Sequence, residues 1–224
     1  MTEYANSPDA GQKTRIIIFA KAPIPGFCKT RLIGALGAEG AAELAAEMLR
    51  RTVAIARASR IGPVELSVAP DPAHASWQGM NFDRDILWTR QPEGDLGQRM
   101  AMAIKRALSE GQNVLCIGTD CIDLEVSHLK EATNLLVQHT TVITPALDGG
   151  YVMLGLNRFD DSIFEGIAWS TSSVCVDTLS RIRRLGWSVA EMKSLRDIDE
   201  ENDLAFLPDS FRKKVTALTE GKQK

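Results

Sequence analysis

The amino-acid sequence predicts an α/β fold: a single domain built on a mainly parallel sheet, with helices on both faces. Two observations carry the prediction. Apolar runs rich in β-branched residues recur along the chain. Between most of them lie stretches of helical period, an alternation that builds parallel sheets covered on both sides. The length of 224 residues fits one such domain, large enough to bury roughly 70% of the surface its unfolded chain would expose. The expected domain spans residues 15–218, with flexible ends at 1–14 and 219–224.

The first run, Ile16 to Ala20, reads as a strand. Ala41 to Ala58 reads as a helix, because Leu44, Met48, Leu49, Val53 and Ala56 share one stripe, with Glu47 and Arg51 spaced to pair one turn apart. Strands follow at Val64 to Ala69 and Asp85 to Thr89. In the helix Asp95 to Glu110, Leu96, Met100, Ala103, Ile104, Ala107 and Leu108 make the apolar face. Asp95 and Gln98 resemble a capping box, and Gly111 ends that helix. Val114 to Gly118 reads as a central strand, and Leu124 to Gln138 as a helix. At Thr141 the rhythm changes. "TVITPALDGGYVMLGL" predicts a hairpin near 141–156, with Asp148-Gly149-Gly150 supplying positive φ for a tight reversal. A helix over Ser172 to Leu185 follows "WST", and "SLRDIDEENDLAFL" opens a last helix with acids in its first turn.

Hydrophobic residues at 44% and charged residues at 25% are those of an ordinary soluble globular chain. A net charge of −3 leaves no broad basic face to follow a phosphate backbone, so no nucleic-acid partner is expected. No apolar run approaches the roughly 18 residues that span a bilayer, and "MTEYANSPDAGQK" lacks the apolar core of a signal peptide. A cytoplasmic enzyme or binding protein is the expectation. Cys28, Cys116, Cys121 and Cys175 form no C-x-x-C, and His74, His128 and His139 no pair at metal-ligand spacing. The cysteines read as reduced thiols, Cys28 as a small loop side chain. The sequence carries no signal for an oligomeric state.

The stretch "FAKAPIPGFCKTRL", Phe19 to Leu32, stands apart. Between Arg15 and Gly34 lie four cations and no acid, which leaves the rest of the chain at −7. A glycine-containing turn after the first strand, running into a helix, brings backbone N–H groups toward a ligand, and Lys29 and Arg31 suit phosphate oxygens. The pattern fits a polyphosphate. It is not a Walker A loop, since Cys28 and Pro23 stand where that motif needs glycine, and G-x-G-x-x-G is also missing. The loop alone leaves open a Pro-kinked surface turn with solvated lysines.

"VLCIGTDCIDL" ends a central strand with Asp120 and then Asp123. Ligands of open α/β sheets collect at the carboxyl ends of strands, so Asp120 is placed to face the same cleft as the basic loop. Two ionised carboxylates at ~4 Å repel by about 1 kcal/mol in water and about 4 at a surface-like dielectric, so a site that gathers them usually holds a cation. Oxygen ligation without Cys or His suits Mg2+ or Mn2+. Asp123 reads as either a helix cap or a second ligand, and Asp197 and Asp199 as either caps or metal ligands.

In order along the chain, K-A-P-I-P-G-x-x-K-T-R-L, G-D-L-G-Q-R-M (Gly94 to Met100), G-T-D-C-x-D-L, P-A-x-D-G-G-Y, W-S-T and D-I-D-x-x-x-D-L resemble the glycosyltransferase-A-type family labelled radical-SAM/selenodomain-associated transferase 1. The likeness runs from about Arg15 to Leu207. It implies a nucleotide-diphospho-sugar transferase fold, GT-A-like and Rossmann-like. In that reading Phe19, Ala20, Lys21, Gly26, Lys29, Thr30, Arg31, Gly97 and Thr119 hold the nucleotide and its phosphates. Asp120 binds the metal and the Asp197/Asp199 segment completes its site through one of the two acids, Asp199 being the one named, and Gly149, Gly150, Tyr151, Trp169, Ser170 and Thr171 border the sugar or acceptor. An ordinary helix cap is an equal reading for Ser170 or Thr171. Two departures stand out: Ile122 where the family has proline, and Glu200 where threonine is common.

Three functions follow as expectations. The first is glycosyl transfer from a nucleotide sugar to a small-molecule acceptor, with Lys29, Arg31 and the metal neutralising the departing diphosphate and Asp148 as general base. The second is nucleotidyl transfer from a nucleoside triphosphate to a phosphorylated small molecule, with release of pyrophosphate. The third is nucleotide binding without catalysis.

Overall fold

The structure, a computed structural model, describes residues 13–209 and 211. Of the expected flexible ends, 1–12 and 219–224 lie outside the described residues, and the first reached too far inward, because Thr14 is buried and opens a strand. The elements in chain order are β1 (Thr14–Lys21), α1 (Ile33–Ser59), β2 (Val64–Ala69), β3 (Leu87–Arg90), α2 (Leu96–Ser109), β4 (Asn113–Ile117), α3 (Val126–Leu135), β5 (Thr141–Pro145), β6 (Tyr151–Leu156), α4 (Val174–Arg184) and β7 (Val189–Glu191). They form one seven-stranded sheet in the order β3-β2-β1-β4-β6-β5-β7. Four adjacent strands, β3, β2, β1 and β4, run parallel; β6 is antiparallel to both neighbours, and β7 is parallel to β5.

The run Ile16-Ile17-Ile18 is buried throughout because alternate side chains enter two different cores. Ile16 and Ile18 pack with Leu49 and Val53 of α1 and Leu129 and Ala132 of α3. Ile17 packs on the other face with Met100 and Ile104 of α2 and Leu179 and Ile182 of α4. Helices thus cover both faces, as the alternation predicted. The capping box at the start of α2 is present in both halves: Asp95 accepts from the Gln98 N–H, and Gln98 from the Asp95 N–H, each at 2.9 Å.

Elsewhere boundaries moved for local reasons. β3 starts at Leu87 because Asp85 lies in the preceding turn and faces Arg57. α1 begins at Ile33, bent where Gly37 leaves helical geometry. Glu47 meets Arg50, while Arg51 donates to the Ile122 carbonyl. The helix expected to open at "SLRDIDEENDLAFL" is a 3-10 turn, Glu201–Phe206, with Glu200 rather than Asp199 as its cap. β7 was not expected; its three residues are too short to show a period.

One segment matters most for the site. After β7 the chain runs beside β5, where Met192 donates to Ile143 and Leu195 to Pro145. It then crosses to the end of β4, where Ile198 donates to Asp120 and Ile122 to Arg196. A third apolar cluster fixes that crossing: Leu32, Leu44, Met48, Ile122, Ile198 and Leu207 pack together.

Candidate active site

A cleft of about 530 Å³ opens at the carboxyl ends of β1 and β4, as the topology predicts. Phe19, Ala20, Lys21, Lys29, Thr30, Thr119, Asp120, Ser170 and Asp199 of the expected residues line it. Cys28 also lines it, buried with its thiol donating to the Ile24 carbonyl at 3.3 Å. Burial pushes that thiol up from its ordinary pKa, so it stays protonated at neutral pH. Two lining residues, Lys29 (φ 46) and Ser170 (φ 64), hold left-handed backbone without being glycine, a conformation costing about 1–3 kcal/mol that concentrates at functional sites.

The two expected phosphate cations part company. The Lys29 side chain is only 5% exposed. Its ammonium pairs with Asp120, pairs with Asp199 Oδ1 at 3.0 Å, and donates to the Ile198 carbonyl. Burial opposes its charge, but the Asp120 and Asp199 carboxylates prevail and raise its pKa above the ordinary lysine value. Arg31 does not line the cleft. It lies outside, 64% exposed, 3.4 Å from Glu200. That pair balances the additional acid, and Glu200 itself closes a capping box with Asp203. Ile122 is buried against Leu32 and Ile198, so the departure from proline adds an apolar anchor beneath the site.

The carboxylates are arranged differently from the expected pair Asp120 and Asp199. Asp148, Asp197 and Asp199 present ligand oxygens that all lie within 4.8 Å of one another, while Asp120 is held by Lys29. Asp148 comes from the β5–β6 turn, and the crossing segment brings the other two to it. Burial and then the charge of Asp148, with lesser repulsion from Asp199 and Asp120, push Asp197 up to about 6. Asp123 is neither a cap nor part of this group: it accepts from the Arg196 N–H at 3.1 Å and steadies the crossing, while Glu125 caps α3.

Several expected acceptor residues make contacts that build the fold around the cleft. Gly149 (φ 93) lets the hairpin tip meet α4, since a Cβ there would lie 2.1 Å from the Ser172 carbonyl oxygen. Gly150 donates to Asp148 Oδ1 at 2.8 Å and holds that carboxylate in place. Tyr151 packs into the α2/α4 core with its hydroxyl toward Met100, and burial raises its pKa. Trp169 lies over Gly97, where a Cβ would come within 2.4 Å of the indole, so the absence of a side chain at Gly97 admits the ring. Thr171 donates to the Ala168 carbonyl, and neither it nor Ser170 is the cap of α4, which is Ser173. Gly26 (φ 83) turns the basic loop without lining the cleft.

Sequence reasoning missed Gln91 and Arg99, both in the cleft wall. Gln91 is buried and donates to the carbonyls of Ala20 (3.2 Å) and Ser67 (2.9 Å), tying β1 to β2 at the cleft floor. Arg99 donates to Gly94 O at 2.8 Å and to Gln91 Oε1 at 3.3 Å. The one available signal was its place within G-D-L-G-Q-R-M, for helical period alone does not tell a polar face toward a cleft from one toward solvent.

Residues 52–171 match the model of a family described as uncharacterized proteins conserved in bacteria, DUF2064. The chain belongs to this family. The matched region of this DUF2064 protein carries Gln91, Arg99, Asp120 and Asp148. No curated protein matches the chain. Among solved structures, a nucleotide-diphospho-sugar transferase candidate from Desulfovibrio desulfuricans G20 is 28% identical, with a TM-score of 0.81 over 94% of this chain and 95% of that one. A nucleotidyl transferase from Methanothermobacter is 14% identical, with a TM-score of 0.57 over 91% and 100% of the two chains. The 4-diphosphocytidyl-2C-methyl-D-erythritol synthase from Anaerococcus prevotii DSM 20548 is 12% identical, with a TM-score of 0.55 over 90% and 99%. The fold of this DUF2064 protein is that of nucleotide-diphospho-sugar transferases. Among the described residues no helix is long and apolar enough to cross a membrane.

Proposed function

We propose that this protein is a metal-dependent glycosyltransferase of the radical-SAM/selenodomain-associated transferase 1 type, using a nucleotide-diphospho-sugar donor and a small-molecule acceptor. The observation that carries the reading is a single cleft, walled by Phe19, Lys21, Thr30, Thr119 and Arg99, that leads onto clustered carboxylates at Asp120 and Asp199. The likeness to the Desulfovibrio protein supports the donor class. Lys21 and Arg99 make no ion pair among the described residues and supply charge for the donor diphosphate; Lys29, expected in that role, is committed to carboxylates.

Three carboxylates without nitrogen or sulfur donors suit Mg2+ or Mn2+, so Asp148, Asp197 and Asp199 would hold the ion. The ion, when bound, supplies Lewis-acid neutralisation of the leaving diphosphate. An acceptor hydroxyl would enter at the exposed edge of the cluster and attack the anomeric carbon as its bond to the diphosphate breaks, its proton passing to the Asp148 carboxylate. Incubation with a panel of nucleotide sugars and Mg2+ or Mn2+ should release nucleoside diphosphate; no release from any donor, hydrolysis included, would overturn the reading.

Nucleotidyl transfer is the second reading, and pyrophosphate release from a triphosphate would select it. Arg158, the cation expected to meet a phosphorylated acceptor, instead lies over the Trp187 ring at 5.9 Å, which favours a neutral hydroxyl acceptor. A non-catalytic role drew on Ile122 and Glu200, and both have structural work that leaves the cleft intact.

A further inference from the structure

Gln91 stands just past β3 and is buried in the cleft wall. Its backbone N–H donates to the Val68 carbonyl, and its side-chain NH2 donates to two more, Ala20 of β1 at 3.2 Å and Ser67 of β2 at 2.9 Å. An amide oxygen in that place would face two other oxygens, so the side chain has one allowed orientation. Its Oε1 is left as an acceptor, and Arg99 Nη1 donates to it at 3.3 Å. The Arg99 Nε–H is held in turn by the Gly94 carbonyl at 2.8 Å. Arg99 is the fourth residue of α2, where the positive end of the helix dipole disfavours a cation, so its charge does not serve the helix. Both of its acceptors are neutral, whereas Lys29 in the same cleft is matched by two carboxylates. Of the five N–H groups of a guanidinium two are used in this way, and three remain for a ligand.

We infer that Gln91 is a positioning residue: it holds Arg99 through a neutral acceptor, so that the guanidinium stands fixed in the cleft wall with its charge uncompensated and ready for the donor diphosphate. The inference rests on the nucleotide binding proposed above. A carboxylate at position 91 would cancel the charge of Arg99 and would itself face the Ala20 and Ser67 carbonyl oxygens. An apolar side chain there would leave Arg99 to sample several rotamers, and ordering a long side chain at the moment of binding lowers affinity by about two- to tenfold. An amide alone satisfies the two strands and the arginine together.

The test is a double-mutant cycle on the full chain: unaltered, Gln91→Leu, Arg99→Ala and the two together, each checked for folding by thermal melting. Each is titrated calorimetrically, with Mg2+, against the diphosphates of uridine, guanosine, cytidine, adenosine and thymidine, and the tightest binder serves throughout. Arg99→Ala should weaken binding on the order of tenfold and Gln91→Leu about fivefold. The double variant should bind no more weakly than Arg99→Ala, because a residue that acts through Arg99 has no effect once Arg99 is gone. A double variant weaker than Arg99→Ala by about a further fivefold would leave Gln91 only the joining of β1 to β2 and overturn the inference, as would Gln91→Leu within about twofold of the unaltered chain. If Gln91→Leu fails to fold, side-chain 15N NMR of the unaltered, nucleotide-free chain decides, the Arg99 signal being the one absent from Arg99→Ala. Hindered rotation of its Nη1 group upholds the inference, and free rotation overturns it. No nucleoside diphosphate bound by the unaltered chain removes the proposed function and this inference together, whereas binding with an additive cycle removes the inference alone.

Discussion

Lys29 and Arg31 stand two residues apart in a loop that reads as uniformly basic, and they do different work. Lys29 is buried against carboxylates, whereas Arg31 faces solvent beside Glu200. Arg31→Ala should therefore change donor affinity by no more than about threefold, while Arg99→Ala should weaken it on the order of tenfold, as calorimetric titration of the released nucleoside diphosphate would show. Asp197 offers a pH test. Its carboxyl is raised from 3.8 to about 6 by burial and by the charge of Asp148. A raised folded value favours the folded state while the group is protonated, so this contribution is fully present below 3.8 and is lost as pH rises through 6. Asp197→Asn, which cannot ionise, should be more stable than the unaltered chain at pH 7 in chelator by about 1–2 kcal/mol after screening, with the gap closing near pH 4. Urea denaturation at a series of pH values measures it, and a gap that widened toward acid would refute the assignment.

At the scale of elements, the helices on the two faces were legible because their apolar stripes are long, and the cap of α2 because its two residues lie three apart. The crossing after β7 was not legible. Its residues touch β5 and the end of β4 through isolated backbone bonds, and such pairing leaves no period to read. Ile198, fully buried between Asp197 and Asp199, anchors it. Ile198→Ala should cost about 2–5 kcal/mol and should also lower Mn2+ affinity, because both flanking carboxylates lose their support. Away from the cleft, near the amino end of β2, Glu65 is fully buried and pairs with Arg15 of β1 and Arg106 of α2, and it accepts from the Thr89 hydroxyl of β3 at 2.7 Å. This network ties α2, and with it Arg99, to three strands. Glu65→Ala leaves the buried Arg15 and the half-buried Arg106 with Glu110 as their remaining acid and should cost about 3 kcal/mol, seen as a large fall in Tm.

At the scale of the whole molecule, one sheet with a reversed β6 places the loop after β1, the loop after β4 and the β5–β6 turn around a common cleft edge. If that edge holds a nucleotide sugar, the best donor with Mg2+ at 100 times its Kd should stabilise the chain by about 2.7 kcal/mol, and a thermal-shift screen with and without Mg2+ would name it. The sequence by itself determined the strand and helix succession, the parallel core and the gathering of a basic loop with Asp120 at strand ends, since these follow from local period and from the way parallel strands share an edge. Only the tertiary structure decided which acids stand together, that Lys29 faces inward and Arg31 outward, and that Tyr151 packs into the α2/α4 core while Trp169 lies over Gly97. Those outcomes depend on contacts between residues up to 170 positions apart, as for Lys29 and Asp199. Charge and spacing along a chain do not encode the direction in which a side chain is finally buried.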